Sequence, residues 1–175
     1  QPFSSDFRGF LFQDSPIGAR LFGTRSNNQF QYNLAWFRRM EKYTNSGLND
    51  VTDDVRDDDI FLANLYWQDQ PKVGFVSQLS VIYNRNDETD IFYDNNDFIA
   101  RPASLGDERP RKYDVTYLGY NGDGHIGRVN LTVSSYVAVG QEENAVFSGE
   151  ESDVEAFFVA AEPSMDFDWI RGKLS

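Results

Sequence analysis

Much of the chain alternates between apolar and polar residues with a period of two, the repeat of a β-strand. In residues 29–36 one register is aromatic and apolar, with Phe30, Tyr32, Leu34 and Trp36, and the other carries Gln29, Gln31, Asn33 and Ala35. Residues 60–68, 129–139 and 165–169 repeat this pattern. Ile60 and Leu62 interrupt the polar register of residues 60–68 near one end. The pattern predicts strands with one apolar face and one polar face.

The breaks in this alternation are of two kinds. Short breaks rich in Asn, Gly, Pro and Asp are "RSNNQ" (25–29), "DQPK" (69–72), "NGDG" (121–124) and "EPSM" (162–165), and these residues favour tight turns. Long acidic breaks cover residues 44–59, 86–111 and 141–152. Short and long breaks alternate along the chain. They predict strands at 18–24, 29–42, 60–68, 73–85, 112–120, 125–140, 153–161 and 164–171. Residues 6–13 are a candidate for one more strand, and residues 153–161 also fit a short helix.

Sorting of loop lengths by end is typical of outer-membrane barrels, which have short turns on one side of the membrane and long loops on the other. Aromatic residues lie near the strand ends, where an interfacial girdle would place them. We therefore predict an all-β fold, an antiparallel up-and-down transmembrane β-barrel with about eight strands in residues 1–175. These residues form a single domain or a consecutive-strand part of a larger barrel. A soluble β-sandwich with a half-exposed sheet gives the same period and is the alternative.

Net charge and the low number of cysteine and histidine residues exclude several classes of function. The 175 residues carry a net charge of −12, which argues against a nucleic-acid partner. There is no cysteine and one histidine, His125, so thiol chemistry and a histidine cluster for zinc are excluded. No run of about 18 apolar residues predicts a transmembrane helix, but transmembrane strands need none. Because Gln1 is not an initiator methionine, we expect a processed product or an internal piece.

The polar register predicts the lining of a water-filled lumen. The residues assigned to that lining are Arg20, Gln31, Asn33, Arg39, Asn64, Tyr66, Gln78, Ser80, Asn84, Asp114, Thr116, Arg128, Asn130, Thr132, Asp166 and Asp168. Arginines on one wall facing aspartates on the other would create a transverse field across the pore. Selectivity would then follow from lumen width and lining charge.

No motif predicts an enzyme. Asp166 and Asp168 share a register and could act as an acid–base pair, but no sugar cleft is evident beside them. We therefore predict no catalytic residue, no cofactor and no dedicated metal site. The acidic stretches 49–59 and 86–97 are dense in carboxylates, so weak divalent cation binding, bridging to lipopolysaccharide, is a plausible partner interaction beside the alternative of a solvated loop.

Three stretches carry a family resemblance: "DFRGFLFQDSPIGARLFGTR" (6–25), "QYNLAWFRRMEK" (31–42) and "YLGYNGDGHIGRVNLTVSSY" (117–136). Together they resemble Gram-negative outer-membrane porin-type proteins, near the alginate-export-like barrels. The resemblance lies in strand style and turn placement. The chain departs from the family by being shorter and by ending in "RGKLS" without a terminal aromatic residue, which indicates a piece of a larger barrel.

The resemblance implies a passive channel or export pore in the bacterial outer membrane. Its partners would be outer-membrane lipid, lipopolysaccharide and a polar solute. Two alternatives remain open at this point. One is a soluble β-sandwich binding module for carbohydrate or calcium, and the other is a structural barrel with a plugged interior that does not conduct.

Overall fold

A computed structural model describes residues 3–6, 9–41, 43, 48–52, 55–87, 92–93, 96–101, 112–145, 148–166 and 171–173. The strands are β1 (Phe3–Ser4), β2 (Gln13–Asp14), β3 (Ile17–Arg25), β4 (Phe30–Met40), β5 (Val55–Gln68), β6 (Phe75–Asn86), β7 (Phe92–Tyr93), β8 (Ile99–Arg101), β9 (Tyr113–Ile126), β10 (Val129–Glu142), β11 (Ser152–Asp166) and β12 (Arg171–Lys173). None of the described residues forms a helix long and apolar enough to cross a membrane.

One large antiparallel sheet contains eight of these strands, in the order β12-β11-β10-β9-β6-β5-β4-β3. Neighbours in space are therefore neighbours along the chain, apart from the small β7–β8 pair inserted between β6 and β9. The predicted all-β, up-and-down antiparallel topology is confirmed, and the described strands contain no Greek-key crossover. Residues 153–161 pair along their length with β10 and are strand rather than helix.

Two of the predicted turns are correct. Ser26, Asn27 and Asn28 have φ angles of 53°, 53° and 68°, the left-handed conformation that Asn tolerates better than most residues. The break after β5 is also a turn, and it extends from Asp69 to Gly74.

The other two predicted turns are wrong. Residues 121–124 continue β9, and the hairpin instead turns at Gly127 and Arg128, where Gly127 has a φ of 70°. Gly122 serves close packing, because a Cβ there would lie 2.6 Å from Cζ of Phe75. Pro163 lies within β11, opposite Leu131. It is tolerated because β11 has a described partner on its other side only from Ser164 onward.

The sheet is open. β3 forms one edge, β12 forms the other, and no pairing joins the two edges among the described strands. The expected closure into a barrel is thus not formed by these eight strands. At this edge, β12 pairs with β11 through three described residues.

Direct cross-strand pairs place the two registers on opposite faces of the sheet. On one side, which we call the apolar face, a continuous row crosses seven strands and consists of Leu21, Leu34, Ala63, Val81, Leu118, Val137 and Phe157. Every large side chain in this row exposes at least 39% of its surface. The predicted alternation in residues 29–36, 60–68 and 129–139 is confirmed by this arrangement.

The hydrophobic core lies on the other side of the sheet. It contains Phe37, Ile60, Leu62 and Ile82 from β4, β5 and β6, and Phe12 from the segment before β3. Phe12 is 6.2 Å from Phe37 between ring centroids. The apolar interruptions Ile60 and Leu62 therefore have a physical reason, because the start of the chain covers them.

We expect Phe37→Ala to destabilise the fold by about 3–5 kcal/mol, since truncating a buried aromatic leaves a cavity. Phe22→Ala is the control, because Phe22 is 66% exposed on the edge strand β3, and we expect a much smaller loss. Guanidinium unfolding measures both variants. Equal losses would show that Phe37 is not part of a packed core.

Candidate functional site: the polar face and the N-terminal segment

The side of the sheet opposite the apolar face, which we call the polar face, is dominated by amides and hydroxyls. From the predicted lumen lining, the register and the contacts bring together on this face Arg20, Gln31, Asn33, Arg39, Asn64, Tyr66, Gln78, Ser80, Asn84, Asn130 and Thr132. Several are fully buried, including Asn64, Gln78 and Ser80. They are buried by the chain's own beginning, residues 3–6 and 9–14, which we call the N-terminal segment.

Amide side chains of the sheet bind the backbone of the N-terminal segment. Nδ2 of Asn64 donates to the carbonyl oxygen of Ser5 at 2.7 Å, and Nε2 of Gln78 donates to the same oxygen at 2.8 Å. Both donors are buried, so these bonds replace water that the amides would otherwise bind. The carbonyl of Ser5 is thus fixed over the centre of the polar face.

Asp6 organises the fold of the N-terminal segment and anchors it to the sheet. Its carboxylate accepts hydrogen bonds from the backbone N–H groups of Phe10 and Leu11, each at 3.2 Å. It also accepts a hydrogen bond from the hydroxyl of Tyr136 on β10, with 2.8 Å between the two oxygen atoms. Asp6 is 5% exposed, and this set of donors satisfies a carboxylate that would be costly to bury alone.

The Tyr136 hydroxyl lies within hydrogen-bonding distance of Asp6 and of Asn121, with 2.7 Å to the Asn121 side chain. A hydroxyl has one proton, so Asp6 and Oδ1 of Asn121 share it as acceptors. Ser134 also donates to Oδ1 of Asn121, at 2.8 Å. This amide oxygen therefore joins β9 to two hydroxyls of β10.

An ion pair fixes the other end of the N-terminal segment. Arg39 on β4 lies 3.1 Å from the Asp58 carboxylate and 3.9 Å from that of Asp14. Its guanidinium also lies over the ring of Phe12, 5.9 Å from the centroid. Asp58 is 4% exposed, so Arg39 compensates a buried charge while holding the end of the segment.

Three residues predicted to line a lumen lie elsewhere, namely Asp114, Thr116 and Arg128. Asp114 and Thr116 lie on the apolar face, opposite Arg85 and Tyr83 of β6. Arg128 is exposed in the tight turn after β9, because the turn falls later in the chain than predicted.

The two C-terminal aspartates differ. Asp166 ends β11 and pairs in register with Arg171, and Asp168 lies outside the described residues. Asp114 and Arg128 therefore do not take the places predicted for them in a transverse field, and the roles assigned to Asp166 and Asp168 stay predictions. Asp114 accepts the Tyr83 hydroxyl at 2.5 Å on the other face, and Arg20 donates to Asn33 at 2.6 Å.

Sequence reasoning missed the residues that hold the N-terminal segment, namely Ser5, Asp6, Asn121, Ser134 and Tyr136. A signal was present in the polar register. Ile60, Leu62 and Ile82 are apolar residues in the polar register, where a water-filled lumen would leave them exposed to water. They therefore indicate that another apolar segment of the chain packs on them. The aromatic residues of 7–12 were the available candidates for that cover.

Beside the N-terminal segment, the polar face turns aromatic toward β11. Phe10, Tyr136 and Phe158 form a cluster with ring centroids 5.9–6.1 Å apart. These rings adjoin an apolar pocket of about 360 Å³ that opens to solvent. The N-terminal segment thus covers the middle of the polar face and leaves part of its β10–β11 side open.

The described residues contain no group of three or more His, Asp or Glu side chains placed to hold a metal ion. Cation binding in the acidic stretches stays a prediction, because these stretches lie partly outside the described residues. Comparisons with protein-family models, curated proteins and solved structures find no match for this chain.

We expect Tyr136→Phe to destabilise the fold by about 1.5–3 kcal/mol, because it removes a buried hydrogen bond to a charged group. In the Asp6→Asn background, Tyr136→Phe should lower the free energy of unfolding by less than it does in the parent. A double-mutant cycle measures this difference as the coupling energy between the two side chains. Tyr120→Phe is the control. The Tyr120 hydroxyl forms a 3.1 Å hydrogen bond with the Ser77 hydroxyl, and this bond does not involve the N-terminal segment. Strict additivity would show that the Tyr136–Asp6 bond contributes nothing.

Proposed function

We propose that the chain forms part of the wall of an outer-membrane β-barrel that carries polar solutes across the membrane. The observation that supports this proposal best is the apolar face, a set of exposed aliphatic and aromatic side chains that is continuous across seven strands. Soluble proteins rarely leave so large a contiguous apolar surface exposed. Lipid is the solvent in which such a face is stable.

The height of the apolar face suits a membrane. On β10 it extends from Leu131 to Val139, eight residues apart and therefore about 27 Å along the strand. At the tilt of outer-membrane strands this corresponds to a band roughly 20 Å tall, near the ~25 Å of known barrels.

Polar partners border this band at the long-loop end. Trp36 donates its indole N–H to Asp59 at 3.0 Å, and Asp59 is also paired with Arg38 at 2.6 Å. The Tyr83–Asp114 bond lies in the same border. An aromatic ring in the band with its polar group directed outward is the arrangement that an interfacial girdle requires.

The open edges call for further strands. From Ser152 to Pro163, β11 has a described partner on one side only, and Phe157 and Val159 are 85% and 69% exposed. Unpaired backbone N–H and C=O groups are costly in lipid, so an edge strand of this kind needs a neighbour. On this proposal the eight strands are one arc of a larger barrel.

A non-conducting structural barrel is the second candidate, because the N-terminal segment covers the middle of the polar face. The two candidates share the membrane-spanning wall. They differ in whether solute passes along the polar face, which the conductance of reconstituted protein measures.

A pair of adjacent substitutions on β11 tests the membrane assignment. Phe157→Arg should impair membrane assembly by about 2–4 kcal/mol, because it places a charge at mid-height on the lipid side. Ala156→Arg, one residue away on the opposite face, should assemble nearly normally. The measurement is folding into lipid vesicles followed by urea titration. In water, Phe157→Arg would be neutral, so equal behaviour of the two variants would contradict the proposal.

Tryptophan fluorescence provides an independent test. Trp36 and Trp67 lie on the apolar face, paired with Phe61 and Phe30. In vesicles of brominated lipid we expect their emission to be quenched, because bromine atoms in the acyl chains contact lipid-facing rings. Trp36→Phe and Trp67→Phe should each reduce the quenched component. Unquenched emission from folded protein would show that this face does not meet lipid.

A further inference from the structure

We propose that the N-terminal segment is a gate, a removable plug that closes the solute route along the polar face and opens it by leaving as a unit. This inference rests on the proposed function and adds a means of control to it. Its basis is how the segment is attached, what it covers, and what it would leave behind.

The N-terminal segment is not a strand of the large sheet. Its two short strands, β1 and β2, pair with each other in a separate two-stranded sheet. A further backbone hydrogen bond lies within the segment, because the N–H of Ser5 donates to the carbonyl oxygen of Phe12 at 2.9 Å. Its departure therefore breaks no ladder bond of the eight-stranded sheet, and the segment can leave with its internal structure intact.

The polar part of the surface beneath the N-terminal segment suits an open state as well as a closed one. The groups that hold Ser5 and Asp6 are the amides of Asn64 and Gln78 and the hydroxyl of Tyr136. Each can bind water or a polar solute once the segment has left, so exposure of these groups costs little in a wet lumen. The apolar residues Phe37, Ile60 and Leu62 lose their cover when the segment leaves, so the closed state is the ground state.

Apolar contacts bias the equilibrium toward the closed state. Phe3 and Phe12 pack on Phe37, with Phe3 at 4.9 Å between centroids. Leu11 fits over Gly119 of β9, where a Cβ would lie 2.8 Å from Cδ1 of Leu11. Gly119 is thus a notch in the polar face that receives a side chain of the segment.

Two substitutions should release the segment from different sides. Asp6→Asn weakens the acceptor for Tyr136 and for the N–H groups of Phe10 and Leu11, and Gly119→Val fills the notch. Ala160→Val adds the same side chain elsewhere on the polar face, on β11, and is the matched control. A loss of one hydrogen bond to a charged group corresponds to roughly a 10- to 100-fold shift in the ratio of open to closed molecules.

The experiment measures release and conductance on the same preparations of the complete barrel, of which this chain is one arc. Hydrogen exchange reports protection of residues 3–14, and planar-bilayer recording reports conductance. We expect Asp6→Asn and Gly119→Val to lose protection in residues 3–14, to keep it in β4–β6, and to conduct more than the parent. Ala160→Val should match the parent in both measurements.

A reversible lock completes the test. The chain has no cysteine, so the double variant Leu11→Cys with Gly119→Cys allows one defined disulfide between the segment and its notch. Conductance should be low when this bond is oxidised and should rise on reduction, in the same molecules.

The outcomes separate the two proposals. A complete barrel that folds but does not enter bilayers overturns the proposed function, and the gate with it. A chain that inserts, releases residues 3–14 in the variants, and shows unchanged conductance overturns the gate alone. Insertion with full protection of residues 3–14 in both variants also overturns the gate, because the segment is then a permanent part of the fold.

Discussion

The structure depends on one constraint, the fixed register between neighbouring antiparallel strands. Because directly paired residues lie on the same side of a sheet, the pairing of Leu21 with Leu34 at one edge and of Val137 with Phe157 at the other belongs to a single continuous row. A shift of one residue in any strand would move its apolar side chains into the polar face. The register therefore decides both which side chains the apolar face exposes and which side chains the N-terminal segment covers.

The two faces solve different problems with the same backbone. No described segment of the chain covers the row from Leu21 to Phe157 on the apolar face, so the stability of this face depends on the solvent around it. The polar face is covered by the protein itself, through hydrogen bonds to Ser5 and Asp6 and through packing on Phe37. The segment combines polar anchors, which water can replace, with apolar anchors, which water cannot. This combination is what makes a reversible closure physically reasonable.

Glycine placement shows how sequence signals can mislead locally while the global pattern holds. The residues "NGDG" suit a tight turn, yet they run straight through β9 because Phe75 and Val133 pack against the bare backbone of Gly122. The turn moves to Gly127, where nothing lies within 4 Å of a Cβ. Asp114 and Thr116 were misplaced for a different reason. Their polarity suggested a wet face, but each is matched by a polar or aromatic partner at the border of the apolar face.

The sequence by itself determined the strand content, the order of the strands and the division into two faces. All three follow from period-two alternation and local turn chemistry, which act over a few residues. Only the tertiary structure decided that the eight strands stay open and that the N-terminal segment lies on the polar face. Those outcomes depend on contacts between residues far apart in the chain, such as Asp6 with Tyr136 and Leu11 with Gly119. Local patterning marks a residue as apolar or polar, and the partner it meets is set by how the whole sheet is paired.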